Sequence, residues 1–208
     1  MTLRYSLDFS EDPAPEAWIA VPILEGRGAD RQRRKWAKKC AELRWALEDG
    51  GPRDKSQVKE LARWLEGFSE RLPQRTPMQH LFAYAPDLRK ELLPFFFYAA
   101  QSEGPVEPVL DTLVRRNQPG AAQDPQIVDF TTDNLGKGMR SICHFVPKGG
   151  EALCMSVNYG WRVDSCGIDL SMRTVSDNIG WMSANIDAFD EFARLLKVIV
   201  HPNDTTVD

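Results

Sequence analysis

The sequence predicts an α+β protein, a mainly antiparallel β-sheet flanked by helices (an α/β/α sandwich) with an N-terminal helical hairpin insertion. Three observations predict it. Between Gln126 and Val200, β-rich runs follow one another around Lys148-Gly149-Gly150-Glu151, and a Gly pair readily takes the positive φ angles of a tight hairpin turn. From Asp30 to Leu72, two apolar stripes recur at steps of three and four residues, as in paired helices. From Asp187 to Val200, Phe189, Phe192, Leu196 and Ile199 fall at helical spacing, so this closing segment reads as a helix lying across the sheet.

In chain order, Arg4 to Phe9 and Trp18 to Leu24 are strand candidates, parted by Glu11-Asp12-Pro13-Ala14-Pro15, whose prolines break any continuous ladder. Asp30 can cap a helix with Trp36, Cys40, Leu43 and Leu47 on its apolar face, stopped by Gly50-Gly51-Pro52. Ser56 can cap a second helix, in which Val58, Leu61, Leu65, Phe68 and Leu72 form the stripe and which Pro73 and Pro77 close. Met78 to Tyr84 reads as a strand. Leu92 to Ala100, carrying Phe95-Phe96-Phe97-Tyr98, reads as a strand covered on both faces. Val106, Val109, Leu110, Leu113 and Val114 mark a helix that tolerates Pro105 and Pro108 only in its first turn. Asn117 to Pro125 is a polar loop leading into Gln126 to Thr132.

The hairpin sets a register. With Gly149 and Gly150 in the turn, Lys148 pairs with Glu151; Ile142, Val146, Leu153, Met155 and Val157 then share the core face, and Ser141, Cys143, Cys154, Ser156 and Asn158 the other. A further strand alternates Ile168, Leu170 and Met172 with Asp169, Ser171 and Arg173. The expected organisation is one domain over residues 1–201, with the helical hairpin at about 30–72, the C-terminal strand-hairpin-helix unit at about 126–200, and a flexible tail at 202–208.

The net charge of -4 gives no global attraction to nucleic acid or acidic membranes. No run has the apolar length of a membrane span, and Met1 to Tyr5 lacks the positive region and apolar stretch of a secretory signal, so the expected location is cytoplasmic. Cys40, Cys143, Cys154 and Cys166 are scattered without CxxC spacing, as packed, reduced thiols are. Cys143 and Cys154 fall diagonally on one face, but Cys143 and His144 are neighbours on a strand and point to opposite faces, which separates a nucleophile from its base. Asp129, Asp133, Asp164 and Asp169 lie in the strand region without diagnostic spacing, and neither a dinucleotide fingerprint nor a P-loop occurs. The expectation is no catalytic residue, no metal and no cofactor. A small hydrolase whose acidic and thiol groups converge only in three dimensions is the enzyme alternative.

Two sets of binding residues stand out. Trp161 and Trp181 follow Gly160 and Gly180, where the backbone can turn sharply and leave an indole on a partner-facing rim. Arg31, Arg33, Arg34, Lys35 and Lys38 form a basic stretch able to hold anions or nucleic acid, or simply to make a solvated helix face. Cations near a helix N-terminus oppose its dipole, which favours a use for them.

The order of Trp18-Ile19-Ala20-Val21-Pro22, helices, Phe95 to Tyr98, a helix, the Met139 to Tyr159 hairpin and a final Phe189-Asp190-Glu191-Phe192 helix resembles the PsbP-like α/β/α sandwich, within it the LpqN-type actinobacterial proteins. The chain departs from them by lacking a lipoprotein signal and by carrying the hairpin from Asp30 to Leu72. The resemblance implies a non-catalytic binding or assembly role with no catalytic residues to carry over. The expected function is therefore a protein-interaction or accessory module with a protein partner. Nucleic acid is disfavoured by the net charge, and a sheet edge or the helical hairpin would each suit a homodimer.

Overall fold

The computed structural model describes residues 4–48, 51, 54–75 and 78–201. The expected tail, and the breakers Gly50, Pro52 and Pro77, lie outside them. In chain order the elements are β1 (Arg4–Phe9), β2 (Trp18–Val21), α1 (Ala29–Leu47), α2 (Lys55–Arg75), β3 (His80–Tyr84), β4 (Leu93–Gln101), α3 (Val106–Leu113), β5 (Gln126–Asp129), β6 (Gly138–Phe145), β7 (Cys154–Val163), β8 (Ile168–Ser176), α4 (Ile179–Ala184), α5 (Ile186–Leu195) and β9 (Leu196–His201). The fold is α+β, with a large seven-stranded antiparallel sheet and a two-stranded one. The chain forms two compact units, Ala14–Phe96 and Met1–Pro13 with Phe97–Asp208.

In the first unit, β2 and β3 pair antiparallel with Ile19 opposite Ala83 and Val21 opposite Leu81. These four residues are buried with Ala37, Ala41, Trp45, Leu61 and Leu65 of α1 and α2. Trp18 and Tyr84 pair across the strands at 4.7 Å between ring centroids, and Trp18 meets Phe95 edge-on at 4.9 Å. The stripe expected of α2 is the one it buries: Leu61 and Leu65 are inside and Val58, Phe68 and Leu72 pack against the cluster. The stripe expected of α1 is met only in its first half, where Trp36 and Cys40 pack against the cluster. Leu43 and Leu47 are exposed, whereas Ala37, Ala41, Arg44 and Trp45 are buried. The helix turns its small residues inward because alanines let two helix backbones approach closely. Arg44 joins them by donating from Nη2 to the carbonyls of Glu16 and Ala85, the latter at 2.7 Å.

Helix starts also differ from expectation. Gly28, at φ 91°, is the N-cap of α1, and Asp30 sits in its first turn bound to Arg33. Asp54, not Ser56, caps α2: its Oδ1 accepts from the Ser56 hydroxyl and from the backbone N–H of Ser56 at 2.6 Å and of Gln57 at 3.3 Å, and these bonds, the hydroxyl's first, hold its carboxyl below the ordinary range. Helix α2 also runs through Pro73 to Arg75.

In the second unit, β5, β6, β7 and β8 lie side by side. The hairpin register matches expectation, with Ile142 opposite Val157 and Cys143 opposite Ser156. The expected core face holds at Met155 and Val157, which are buried, but not at the hairpin end, where Val146 and Leu153 are exposed; and the face expected to be polar is buried too, at Ser141, Cys143, Ser156 and Asn158. The polar set is buried because α3 covers it. Ser141 Oγ donates to the Val114 carbonyl and Asn158 Nδ2 donates to Ser141 Oγ at 3.1 Å, so the buried groups are satisfied. Gly160 makes the cover fit, since a Cβ there would stand 2.7 Å from Leu113 Cβ. On the opposite face α5 buries Phe189 and Phe192, and its Asp190 accepts from Tyr159 Oη at 2.6 Å and from Arg140 Nη1 at 2.5 Å.

The closing helix is shorter than its periodicity suggests. Helix α5 ends at Leu195, and Leu196–His201 becomes β9, paired antiparallel with β1 so that Phe9 faces Leu196 and Tyr5 faces Val200. The run Val198-Ile199-Val200 is β-branched, and the strand partner offered by β1 decides its conformation over the helical period.

Candidate functional site: the groove between α1 and α2

The antiparallel helices α1 and α2 enclose an open groove of about 590 Å³. Its floor is small and apolar, made by Ala37, Val58 and Ala62. Helical spacing places rows of charge on either side of it. Arg34, Lys38 and Glu42 are four residues apart along α1, and Lys55, Lys59 and Arg63 four apart along α2, with Glu66 nearby. Five cations against two carboxylates leave a local excess of three positive charges on a chain whose net charge is -4. Lys38 and Glu42 approach to 3.9 Å with side chains 76% and 56% exposed, a pair of little energetic weight. Among the described residues Arg34, Lys55, Lys59 and Arg63 join no ion pair. The rim thus presents uncompensated positive charge around an apolar strip.

The structure divides the basic stretch expected to hold anions. Arg34 and Lys38 line the groove, and Arg31 and Lys35 are exposed on α1 beyond its lining. Arg33 is buried, its guanidinium donating to Asp30 Oδ1 at 2.7 Å and to the Leu24 carbonyl at 3.2 Å, so it ties the helix start to the chain before it and is not available to a ligand. Lys55, Lys59 and Arg63 complete the rim and were not expected. Their step of four was legible in the sequence, but only the packing of α1 on α2 shows which residues they face.

The tryptophans part company as well. Trp161 is not on a rim: it is fully buried in β7, stacked on Tyr159 at 5.8 Å with an interplanar angle of 6°. Gly160 is glycine because α3 lies over it, not because the chain turns there. Trp181 is half-buried in α4, which Asn178 caps by accepting from the Trp181 backbone N–H at 3.3 Å.

The groups of the enzyme alternative stay apart. Asp129 pairs with Met139, five residues along β6 from His144, a separation of about 17 Å at strand rise. Asp169 lies on the opposite sheet face from His144 and is engaged by Arg162 at 2.7 Å and Ser102 at 2.9 Å. Burial raises the Asp169 pKa, but hydrogen bonds from Arg162, Ser102 and the Glu103 backbone outweigh it and hold the carboxyl below its ordinary value. Asp129 and Asp164 do line a cavity of about 520 Å³ with Lys137 and Arg162, but the Arg162 guanidinium is occupied by Asp169 and by the carbonyls of Glu103 and Gly104. The four cysteines are free; Cys143 faces Ser141 and Asn158, and Cys154 faces its own turn at the Ala152 carbonyl. Among the described residues, no group of three or more His, Cys, Asp or Glu side chains converges as metal ligands would.

A third concavity, about 620 Å³, is lined by Trp45, Trp64, Leu61, Leu88 and Leu92 and edged by charged residues. Arg89 lies over the Trp45 ring at 5.5 Å and is held by Glu48 at 2.7 Å. Arg89 is committed to its own carboxylate, whereas among the described residues Arg34, Lys55, Lys59 and Arg63 of the α1–α2 groove join no ion pair. No helix among the described residues is long and apolar enough to cross a membrane. No family model matches the chain, and a comparison with curated proteins also finds no match.

Proposed function

We propose that the chain is a non-catalytic, cytoplasmic protein-interaction or accessory module that docks a protein partner in the groove between α1 and α2. One observation carries the reading: an apolar strip of Ala37, Val58 and Ala62 is bordered on both sides by cations in excess, of which Arg34, Lys55, Lys59 and Arg63 join no ion pair among the described residues. Interfaces combine an apolar centre with a polar rim, and charge at the rim steers the encounter more than it holds the complex. The PsbP-like resemblance of the strand order agrees with such a role and adds no residue to it. The separation of Asp129 and Asp169 from His144 lends the hydrolase alternative no support.

The test is capture of partners from the native cell extract by the wild-type chain and by Ala62→Glu, with a remote substitution, Val175→Asp, as control. Ala62 is half-buried on a helix, so glutamate is accommodated while its carboxylate fills the strip and neutralises the rim. The reading expects a stoichiometric protein retained by the wild type and the control and lost by Ala62→Glu. Retention by all three places docking elsewhere, and recovery of nucleic acid through the same cations supports the anion-binding alternative instead.

A further inference from the structure

We infer that the occupant of the α1–α2 groove is an acidic amphipathic α-helix of about three turns from the partner protein, docked as the third helix of a bundle; this rests on the docking reading above. Length comes from the rim: Lys55 to Glu66 spans eleven steps of α2, about 17 Å at helical rise, or about three turns. Shape comes from the floor. Ala37 and Ala62 are small, so the groove receives large apolar side chains from a facing helix, as knobs enter holes.

Charge selects the occupant. Cations border the strip on both sides, so the complementary helix carries Glu or Asp flanking its own apolar stripe on both sides. A second copy of this chain does not meet that requirement, because a two-fold contact of the groove with itself would set an excess of positive charge against the same excess. Nucleic acid meets the charge but leaves the apolar strip uncovered. A helix this short is marginal alone and orders on binding, which sets the expected affinity in the micromolar range rather than the nanomolar.

The probe is a synthetic peptide of about 15 residues with Leu at heptad positions a and d and Glu at e and g. It is titrated into the full chain beside a scramble of identical composition and a counterpart with Lys at e and g. Duplex DNA and phosphatidylcholine vesicles containing phosphatidylserine complete the panel. The inference expects binding of the acidic amphipathic peptide alone, weakening with added salt and gaining helical circular dichroism. Lys59→Glu with Arg63→Glu, both exposed positions, is expected to weaken it about tenfold and to turn preference toward the Lys peptide. Equal binding of the scramble, or binding of DNA or vesicles through Lys59 and Arg63 without the peptide, overturns the helix. If the peptide fails while Ala62→Glu still abolishes capture of the native partner, the helical occupant is wrong and the docking face stands. If Ala62→Glu leaves capture intact, the docking face itself is wrong.

Discussion

Replacing Asp190 by alanine removes one carboxylate that serves two buried donors, and its consequence can be worked out from their geometry. Tyr159 is fully buried and donates to Asp190 Oδ1 at 2.6 Å; Arg140 donates to Oδ2 at 2.5 Å, with side chains 18% and 12% exposed for Arg140 and Asp190. The buried tyrosine hydroxyl would lose its acceptor, a cost of about 1–3 kcal/mol. The guanidinium would lose its counter-charge; full burial would make that about 3–5 kcal/mol, and partial solvation of Arg140 reduces it to about half. The sum, about 2.5–5.5 kcal/mol, is a large share of the roughly 5–15 kcal/mol that holds a domain folded. Tyr159→Phe deletes only one bond to a charged acceptor, about 1.5–3 kcal/mol. It also removes a hydroxyl whose pKa is raised well above 10, first by burial and then by the Asp190 charge, so the group stays protonated and donating at neutral pH. Urea unfolding followed by far-UV circular dichroism reads both variants, with the slope against urea checking that the unfolded state is unchanged. Loss of less than about 1 kcal/mol by Asp190→Ala, or equal losses by both variants, would refute a shared buried acceptor.

Other outcomes follow from single contacts. Gly160→Ala sets a Cβ 2.7 Å from Leu113 Cβ and 3.3 Å from Val114 Cγ1, and should destabilise by about 1–3 kcal/mol through displacement of α3, read by the same urea unfolding. His80, its pKa lowered by burial, is neutral in the fold and charges more readily unfolded; stability should fall as pH drops below about 6.5, and the slope should flatten in His80→Gln. Asp169, held below its ordinary pKa, adds stability that is full above about pH 4 and is lost as pH falls through the folded value, a loss absent from Asp169→Asn. Burial pushes the Cys40 thiol up to about 11, so it should alkylate far more slowly at pH 8 than a free thiol in an iodoacetamide time course followed by mass spectrometry.

Most elements were legible because their period and their partner agree. The β6–β7 register followed from two glycines, and the α2 stripe from large residues whose burial the period reports directly. Where the two disagree, the sequence misleads. The α1 face was misread by about one residue because alanines carry little hydrophobic signal, while the leucines that carry it, Leu43 and Leu47, are left outside. Leu196 to Val200 keeps a helical period yet pairs with β1, a partner nearly the whole chain away. The buried face of Ser141, Cys143 and Asn158 reads as solvent-facing until α3 supplies acceptors for it. The groove was half visible: its α1 rim lay within the basic stretch, but its α2 rim and its alanine floor exist only once two helices are set side by side.

The docking face is tested most directly by photo-cross-linking from inside it. A photoreactive benzoylphenylalanine placed at Ala62 in the groove, and separately at Val128 on β5, is irradiated in cells and the adducts are identified by peptide mass spectrometry. The account expects one protein attached at residue 62 through an acidic segment, and no such adduct from residue 128. The same adducts from both positions, or none from residue 62, would contradict it.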